Sequence, residues 1–324
     1  MRHYTKPKPM PEVFTFPLPL LGQPMCAVVV AYGAQGADLN PLLQVLVPQV
    51  ERTIVVVNPM GDDVTTLALL DEHRDLVEVV QQAKNLGLPA AQNVGIRMAK
   101  EQGARSVLFL DQDSLPRPDM VHQLQLAWQN LQGKGVRVGA LGCAYEQPEG
   151  ATWRGFVRMG WSGFKRRTCE SQALSVEADF LISSGTLIPM DVLDAVGPME
   201  ADLFIDHVDT EWCLRARSKG FALFGVCAAK MHHILGESRQ KIWWFGARTV
   251  SHHSPFRYYY MFRNSWALYP RAYIPLRWKC WDLIRNARLL VFMALFSEQR
   301  MECLRMMWRG SRDGWRGRKG PLRP

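Results

Sequence analysis

Residues 107–114 read Val-Leu-Phe-Leu-Asp-Gln-Asp-Ser. A run of four apolar residues without polar alternation suits a strand covered on both faces, as strands of a parallel sheet are. The prolines of Leu115-Pro116-Arg117-Pro118 close it. Asp111 and Asp113 then stand at the carboxyl rim of the sheet. If the extended backbone continues through both, they point to one side roughly 6.5–7 Å apart, at about 3.3 Å rise per residue. Carboxylates so placed suit Mg²⁺ or Mn²⁺, hard ions that take oxygen ligands and keep room for water and phosphate. Taken alone, the stretch fits a solvated turn whose Asp caps the next helix equally well.

Two further runs repeat the theme. Cys26–Ala31 ends in Tyr32-Gly33, and Thr53–Val57 ends in Asn58-Pro59, with a helical stretch from about Pro41 to Val50 between them. Short apolar strands alternating with helices predict an α/β fold, a doubly wound and mainly parallel sheet. Ligands of such sheets bind outside the carboxyl ends of the strands, where Tyr32, Asn58 and Asp111 gather. Asn85-Leu86-Gly87 reads as a turn, and Pro89 opens a small-residue helix from Ala90 to Ala99, its free N–H groups facing the crevice. A plain helix start is the simpler reading of that segment. No strands are assigned over 134–178.

The chain has 324 residues, 48% of them hydrophobic, enough for one large domain and an appendage. Residues 1–24 form a Pro-rich arm; Glu12 and the prolines break any apolar leader. No apolar run reaches the roughly 18–20 residues of a membrane span. Seven scattered cysteines with no Cys-x-x-Cys predict reduced core thiols in a cytoplasmic chain rather than a disulfide framework or a zinc site. A net charge of +9 points to an acidic partner. A nucleic-acid partner would need a groove-reading or base-stacking motif, and none is found.

Beyond residue 178, Ser183-Ser184-Gly185 is a small polar turn between apolar runs, where a ligand could approach the backbone or the chain could simply bend. Asp206, His207, Asp209 and Glu211 open an amphipathic helix. Helix capping accounts for one or two of these, not for four. His232-His233 follows a strand-like Ala222–Val226 run and offers an imidazole to the carboxylates. From 241 to 324 the chain turns helical, basic and Trp-rich. Trp278, Trp281, Ile284 and Leu289–Phe292 alternate with Arg277, Lys279, Arg285 and Arg288, a composition expected at a membrane interface and also of a packed terminal helix.

Together these pieces resemble the family 2 glycosyltransferases of GT-A fold, in the rhamnosyltransferase branch that uses dTDP-L-rhamnose. The resemblance runs from about Val28 to Asn264. It rests on Tyr32, Asn85-x-Gly87, Gln92-Asn93-x-Gly95-Ile96, Leu110–Ser114, Phe180–Gly185, Phe204–Glu211 and Arg263-Asn264. It implies a mixed, mainly parallel GT-A sheet over 25–240 with a C-terminal helical appendage. It assigns nucleotide contacts to Tyr32, Asn58, Asn85, Gly87, Asn93 and Asp111, and a divalent metal to Asp113 and Asp111 with His233. Asp209 becomes the catalytic base and Glu211 an acid. Ser184, Gly185, Arg263 and Asn264 fall on the acceptor and diphosphate side. The second strand of such enzymes usually ends in Asp-Asn; Val57 stands here instead, with Asp62 or Asp63 as substitutes. The implied reaction is inverting transfer of rhamnose to a lipid-linked sugar or glycolipid of the rhamnolipid or surface-polysaccharide type, by an enzyme touching the inner face of the cytoplasmic membrane. Transfer of another nucleotide sugar, or nucleotide-sugar binding without catalysis, are the competing readings.

Overall fold

The computed structural model describes residues 24–33, 36–60, 73, 75–146, 155–169, 174–232, 238–243 and 247–323. The proline-rich arm, Asp62, Asp63 and His233 lie outside these described residues.

The three apolar runs are strands: β1 (Met25–Ala31), β2 (Arg52–Val57) and β4 (Ser106–Asp111). With β3 (Glu78–Gln81) they pair in parallel in the order β3-β2-β1-β4. Next comes β10 (Thr186–Pro189), antiparallel to both of its neighbours, β4 and β6 (Val138–Glu146). Beyond β6 lies the parallel β11 (Ala222–His232), flanked by the antiparallel β5 (Leu115–Pro116) and β9 (Ser175–Ala178). Six of the nine strands therefore run one way, and the sheet is mixed and mainly parallel.

Strand parity divides the core into two layers. Cys26, Val28, Val30, Val107 and Phe109 face one side, against α2 (Leu88–Glu101), α4 (Met190–Val196) and α5 (Val208–Ser218). Ala27, Val29, Ala31, Leu108 and Leu110 face the other, against α1 (Gly36–Leu46) and α3 (Met120–Gly133). Burial on both faces explains why the strands are continuously apolar. The same parity turns Asp111, the next odd residue of β4, toward the layer that carries α5.

Residues 134–178, where the sequence showed no strands, contain β6, β9 and a hairpin, β7 (Phe156–Gly160) with β8 (Gly163–Arg167). The hairpin lies outside the main sheet, and its Arg- and Gly-rich sequence lacks the run of apolar residues that marks the central strands. A second two-stranded sheet joins β12 (Ser238–Trp243) to β13 (Ala247–His252). The C-terminal part supplies α6 (Pro255–Leu268), α7 (Leu276–Phe296) and α8 (Arg300–Trp315). Tyr258 and Phe262 of α6 pack with Met293 of α7 and with Cys303 and Met307 of α8.

The expectation of seven reduced thiols is corrected at two positions. Cys169 and Cys227 form a disulfide, 58 residues apart in sequence with Cα atoms 5.7 Å apart, tying the segment after β8 to β11. A pair so distant in sequence leaves no local spacing to read. The other five cysteines are free, four of them buried.

Gly95 of α2 faces β1 so closely that a Cβ would meet both methyls of Val28, one at 2.9 Å. The missing side chain sets how near helix and sheet can lie. Gly95→Ala is expected to cost about 1–3 kcal/mol through overpacking, measured as a lowered urea midpoint at unchanged m-value.

Candidate active site

At the carboxyl edge of the sheet the chain turns at once after β4: the Ser114 N–H donates to the Asp111 carbonyl at 3.1 Å. Extended geometry therefore does not continue to Asp113, as the sequence reading supposed. Asp111 is half-buried and Asp113 exposed on the turn. Below them the Ser184 hydroxyl accepts the Asp111 N–H at 3.0 Å and meets the Ser114 hydroxyl at 2.6 Å. Ser184 is buried, so it holds the Asp111 turn from beneath instead of facing an acceptor. Gly185, at φ +73°, donates to the Phe109 carbonyl, and a Cβ there would strike Cys143 and Met231. Its place is close packing between strands.

Asp209, in the first turn of α5, comes to the same place from the facing layer. It accepts a hydrogen bond from the Ser183 hydroxyl. Burial pushes its carboxyl above the usual range, with the Ser183 donors opposing and the Asp206 charge adding to the rise. The charges of the neighbouring acids are felt at Asp111. Burial, then the charges of Asp209 and Asp113, push its pKa up to about 7, against the opposing charge of Arg257. Three carboxylates and one guanidinium thus share one neighbourhood.

The three acids and the histidine that open α5 split four ways. Asp206 pairs with Arg257 at 2.7 Å. His207 is buried between Ser265 (3.3 Å) and Arg285 (3.1 Å), and burial, then the Arg285 charge, lowers its pKa. Glu211 is fully buried, with Arg215 donating to both of its oxygens at 2.8 and 2.9 Å and Tyr273 and Arg271 adding further donors. Residues two apart on a helix point about 200° apart, so Glu211 faces away from Asp209 into a structural ion-pair network. Of these residues, Asp209 is the one whose charge acts on Asp111 at the end of β4.

The segment ahead of α5 is strained. Phe204, Asp206 and His207 have φ of 63°, 62° and 60°. The Ile205 N–H closes on the Leu203 carbonyl at 2.7 Å around Phe204, a γ-turn of the rare positive-φ kind. Such conformations cost about 1–3 kcal/mol each. Arg263 and Asn264 of α6 hold them. Asn264 directs its amide N–H groups at the carbonyls of Leu203, Ile205 and Asp206 at 2.7–3.0 Å, and Arg263 donates to Leu203 and Gly320. Both are buried behind the acid loop, where the sequence reading had placed them on the acceptor and diphosphate side.

On the other wall, Tyr32 is 45% exposed at the end of β1. Its backbone is tied to Gln112, which accepts from the Tyr32 N–H at 2.6 Å and donates to its carbonyl at 3.2 Å. Asn58 is buried and spends its amide on Asn85 and on the Leu86 N–H. Asn85 also caps the Gly87 N–H, and Gly87 at φ +88° lies against Phe204, whose carbonyl takes the Leu88 N–H. These bonds join the Asn85 turn to the loop ahead of α5, and the first turn of α2 is less free of partners than the sequence implied. Asn93 pairs with the Met199 backbone, away from the crevice. Val57, the position lacking the usual acid, is buried in the sheet.

Among the described residues no three His, Cys, Asp or Glu side chains are grouped to hold a metal ion. Asp111 and Asp113 nevertheless supply hard oxygen donors whose mutual repulsion a cation would relieve. His232 ends β11 opposite Leu115, two residues from Asp113. Sequence reasoning missed Gln112 and Arg257. Gln112 lay inside the motif but was passed over for its acidic neighbours, and Arg257 carries no signal until folding brings α6 beside α5.

Residues 23–256 match the family described as glycosyltransferase-like family 2. The chain is 28% identical over 297 residues to the dTDP-rhamnosyl transferase RfbF of Shigella flexneri, covering 91% of this chain and 96% of that one. Among solved structures it resembles the mannosyltransferase PcManGT of Pyrobaculum calidifontis, determined with GDP-mannose and Mn²⁺, at a TM-score of 0.54, 13% identity and 92% and 76% coverage of this chain and that one. It also resembles GalNAc-T7, determined with UDP, GalNAc and Mn²⁺, at a TM-score of 0.56 and 13% identity. That match covers 82% of this chain and 54% of GalNAc-T7, so the chain spans about half the length of that protein. Both are likenesses of fold.

Two measurements follow from this geometry. A raised Asp111 pKa means that the folded state holds a proton the unfolded chain has released. The stability this proton brings is full below about pH 4 and lost as pH rises through about 7. Asp209→Asn removes one repelling charge, so in chelator-treated protein it is expected to raise the Tm at pH 8 and to flatten the Tm profile between pH 5 and 8. Asn264→Ala, which releases the strained loop, is expected to cost about 3 kcal/mol in urea unfolding.

Proposed function

The chain belongs to glycosyltransferase family 2, and we propose that it transfers L-rhamnose from dTDP-L-rhamnose to a hydroxyl of a lipid-linked sugar or glycolipid, with inversion at the anomeric carbon. The donor follows the RfbF relative, which matches nearly the whole chain. What supports the chemistry is that the charges of Asp209 and Asp113 both act on the Asp111 carboxyl at the end of β4.

In this reading the acceptor oxygen attacks C1 of the rhamnosyl group as the bond from C1 to the diphosphate oxygen breaks, and Asp209 takes the hydroxyl proton. A buried carboxylate whose pKa lies above its ordinary value is a better base than a solvated one. One base and direct displacement need no carboxylate nucleophile, in contrast to retaining glycosidases. The Ser183 hydroxyl orients Asp209. Tyr32, exposed at the end of β1, offers a ring face to the thymine. Asn58, Asn85 and Gly87 hold the wall beneath it, while Asn264 and Arg263 keep the acid loop in its strained shape.

Asp113 and Asp111 would hold a divalent cation, Mg²⁺ or Mn²⁺, with His233 as a further ligand. When bound, the cation supplies Lewis-acid stabilisation of charge on the departing diphosphate. Arg257 stands beside this site and is our candidate for a guanidinium contact to the same phosphates. We assign catalysis to residues 25–240, a supporting role to 241–324, and the protein to the cytoplasmic side of the membrane that carries its acceptor.

Purified protein is expected to consume dTDP-L-rhamnose in preference to UDP- and GDP-sugars, by released nucleotide. Asp209→Asn is expected to lower kcat by about 10²–10⁴-fold while dTDP binding by calorimetry holds, and Arg257→Ala to raise the donor KM by about ten-fold. Unchanged turnover in Asp209→Asn removes that residue from its role. Turnover of only a non-rhamnosyl donor overturns the donor assignment.

A further inference from the structure

Helix α7 is built inside out. Its inward face carries Trp278, Asp282, Asn286 and Met293, all buried. The two polar side chains there are tied together and to their neighbours: Asp282 takes the Tyr269 hydroxyl at 2.9 Å and Arg285 at 2.7 Å, and Asn286 bonds Ser265 at 2.9 Å. The outward face carries Leu276, Leu283, Ile284, Leu290, Val291 and Leu295, from 38% to 74% exposed. At about 100° per residue these positions form one stripe roughly 140° wide along the 21-residue helix. No described helix is long and apolar enough to cross a membrane, so the stripe is not part of a span.

The charge around it is one-sided. Residues 276–324 hold twelve Lys and Arg against four Asp and Glu, a surplus of +8 in a chain whose total is +9. Asp282 and Asp313 are buried and pair with Arg285, Arg312 and Arg318, which leaves Arg277, Arg288, Arg300, Arg305, Arg309 and Arg316 to set the sign of the surface. Helix α8 repeats the pairing of apolar and basic groups. Met301, Trp308 and Trp315 are exposed at seven-residue spacing, with the Arg312 guanidinium stacked 5.0 Å over the Trp308 ring.

We propose that the outward faces of α7 and α8 dock on an anionic lipid bilayer, with the leucine stripe seated at the headgroup boundary and the arginines on lipid phosphates. An amphipathic surface of this kind binds through buried apolar area and through attraction between its cations and anionic headgroups. A second copy of this chain is the poorer occupant, because pairing would set two basic surfaces against each other. The proposal deepens the reading of a lipid-borne acceptor, since the same surface would hold the crevice close to such a substrate.

The test is co-sedimentation of the full-length protein, without any sugar nucleotide, with phosphatidylglycerol-rich and with phosphatidylcholine-only vesicles, alongside its solution mass by light scattering. The protein is expected to sediment with the anionic vesicles and to be released in part by high salt. The double variant Leu283→Asp/Leu290→Asp, both positions being exposed, is expected to bind about ten-fold more weakly with its dTDP affinity unchanged, whereas Leu174→Asp, exposed elsewhere, binds as the parent does. Wild-type protein left in the supernatant with anionic vesicles overturns the proposal. So does a dimer that Leu283→Asp/Leu290→Asp converts to monomer without any change in vesicle binding. Vesicle binding without rhamnose transfer would leave the surface standing and the donor reading refuted.

Discussion

Three carboxylates cannot crowd one crevice at neutral pH unless a proton or a cation joins them. That constraint governs the carboxyl edge of this sheet. Asp111 ends a strand buried on both faces, so its position is fixed by the core and cannot relax away from Asp209 or Asp113. Burial, then the charges of Asp209 and Asp113, push the Asp111 pKa up to about 7 against the opposing charge of Arg257. A bound cation with a sugar diphosphate would answer with charge, and the same repulsion would then favour binding. A site that destabilises the empty protein and is relieved by its ligands is the usual trade between stability and function.

Bringing Asp209 to this point requires the chain to run through a loop that L residues avoid. The γ-turn at Phe204 and the left-handed Asp206 and His207 are held from behind by Asn264 and Arg263, and from the front by the contact between Gly87 and Phe204. Strain and buried hydrogen bonds are here of the same order, a few kcal/mol each way. The two crevice walls are therefore mechanically joined: Asn58 shapes the turn at Asn85, the turn places Gly87, and Gly87 sets how near the acid loop can come. A change at any of these residues would move Asp209 without touching it.

Legibility followed the range of the interaction. The three central strands could be read because burial on both faces writes continuous apolar runs, and because parity then decides where Asp111 points, whereas helices α3 and α4 were not assigned from the sequence. Strands β7 and β8 could not be read, since a hairpin rich in Gly and Arg carries no such pattern, and β6, though interior, has its apolar run broken by Gly139 and Gly142. Site residues divided in the same way. Asp111, Asp113 and Asp209 stood out as charges where a sheet ends or a helix begins. Arg263, Asn264 and Asn93 looked equally functional as letters, but each finds its partners far along the chain, in Leu203 or Met199, and no local pattern announces that; Glu211 is the exception, since Arg215 four residues on is a local partner. The Cys169–Cys227 bridge and the Asp206–Arg257 pair were hidden for the same reason.

The most direct measurement is a crystal structure of the protein grown with dTDP and Mn²⁺, read from the anomalous signal of the manganese. The account predicts one manganese peak against Asp113 and Asp111, the diphosphate between that peak and Arg257, and Asp209 facing the open side where a sugar would sit. A nucleotide bound elsewhere, or an Asp209 carboxylate separated from the metal by the backbone of α5, would contradict it.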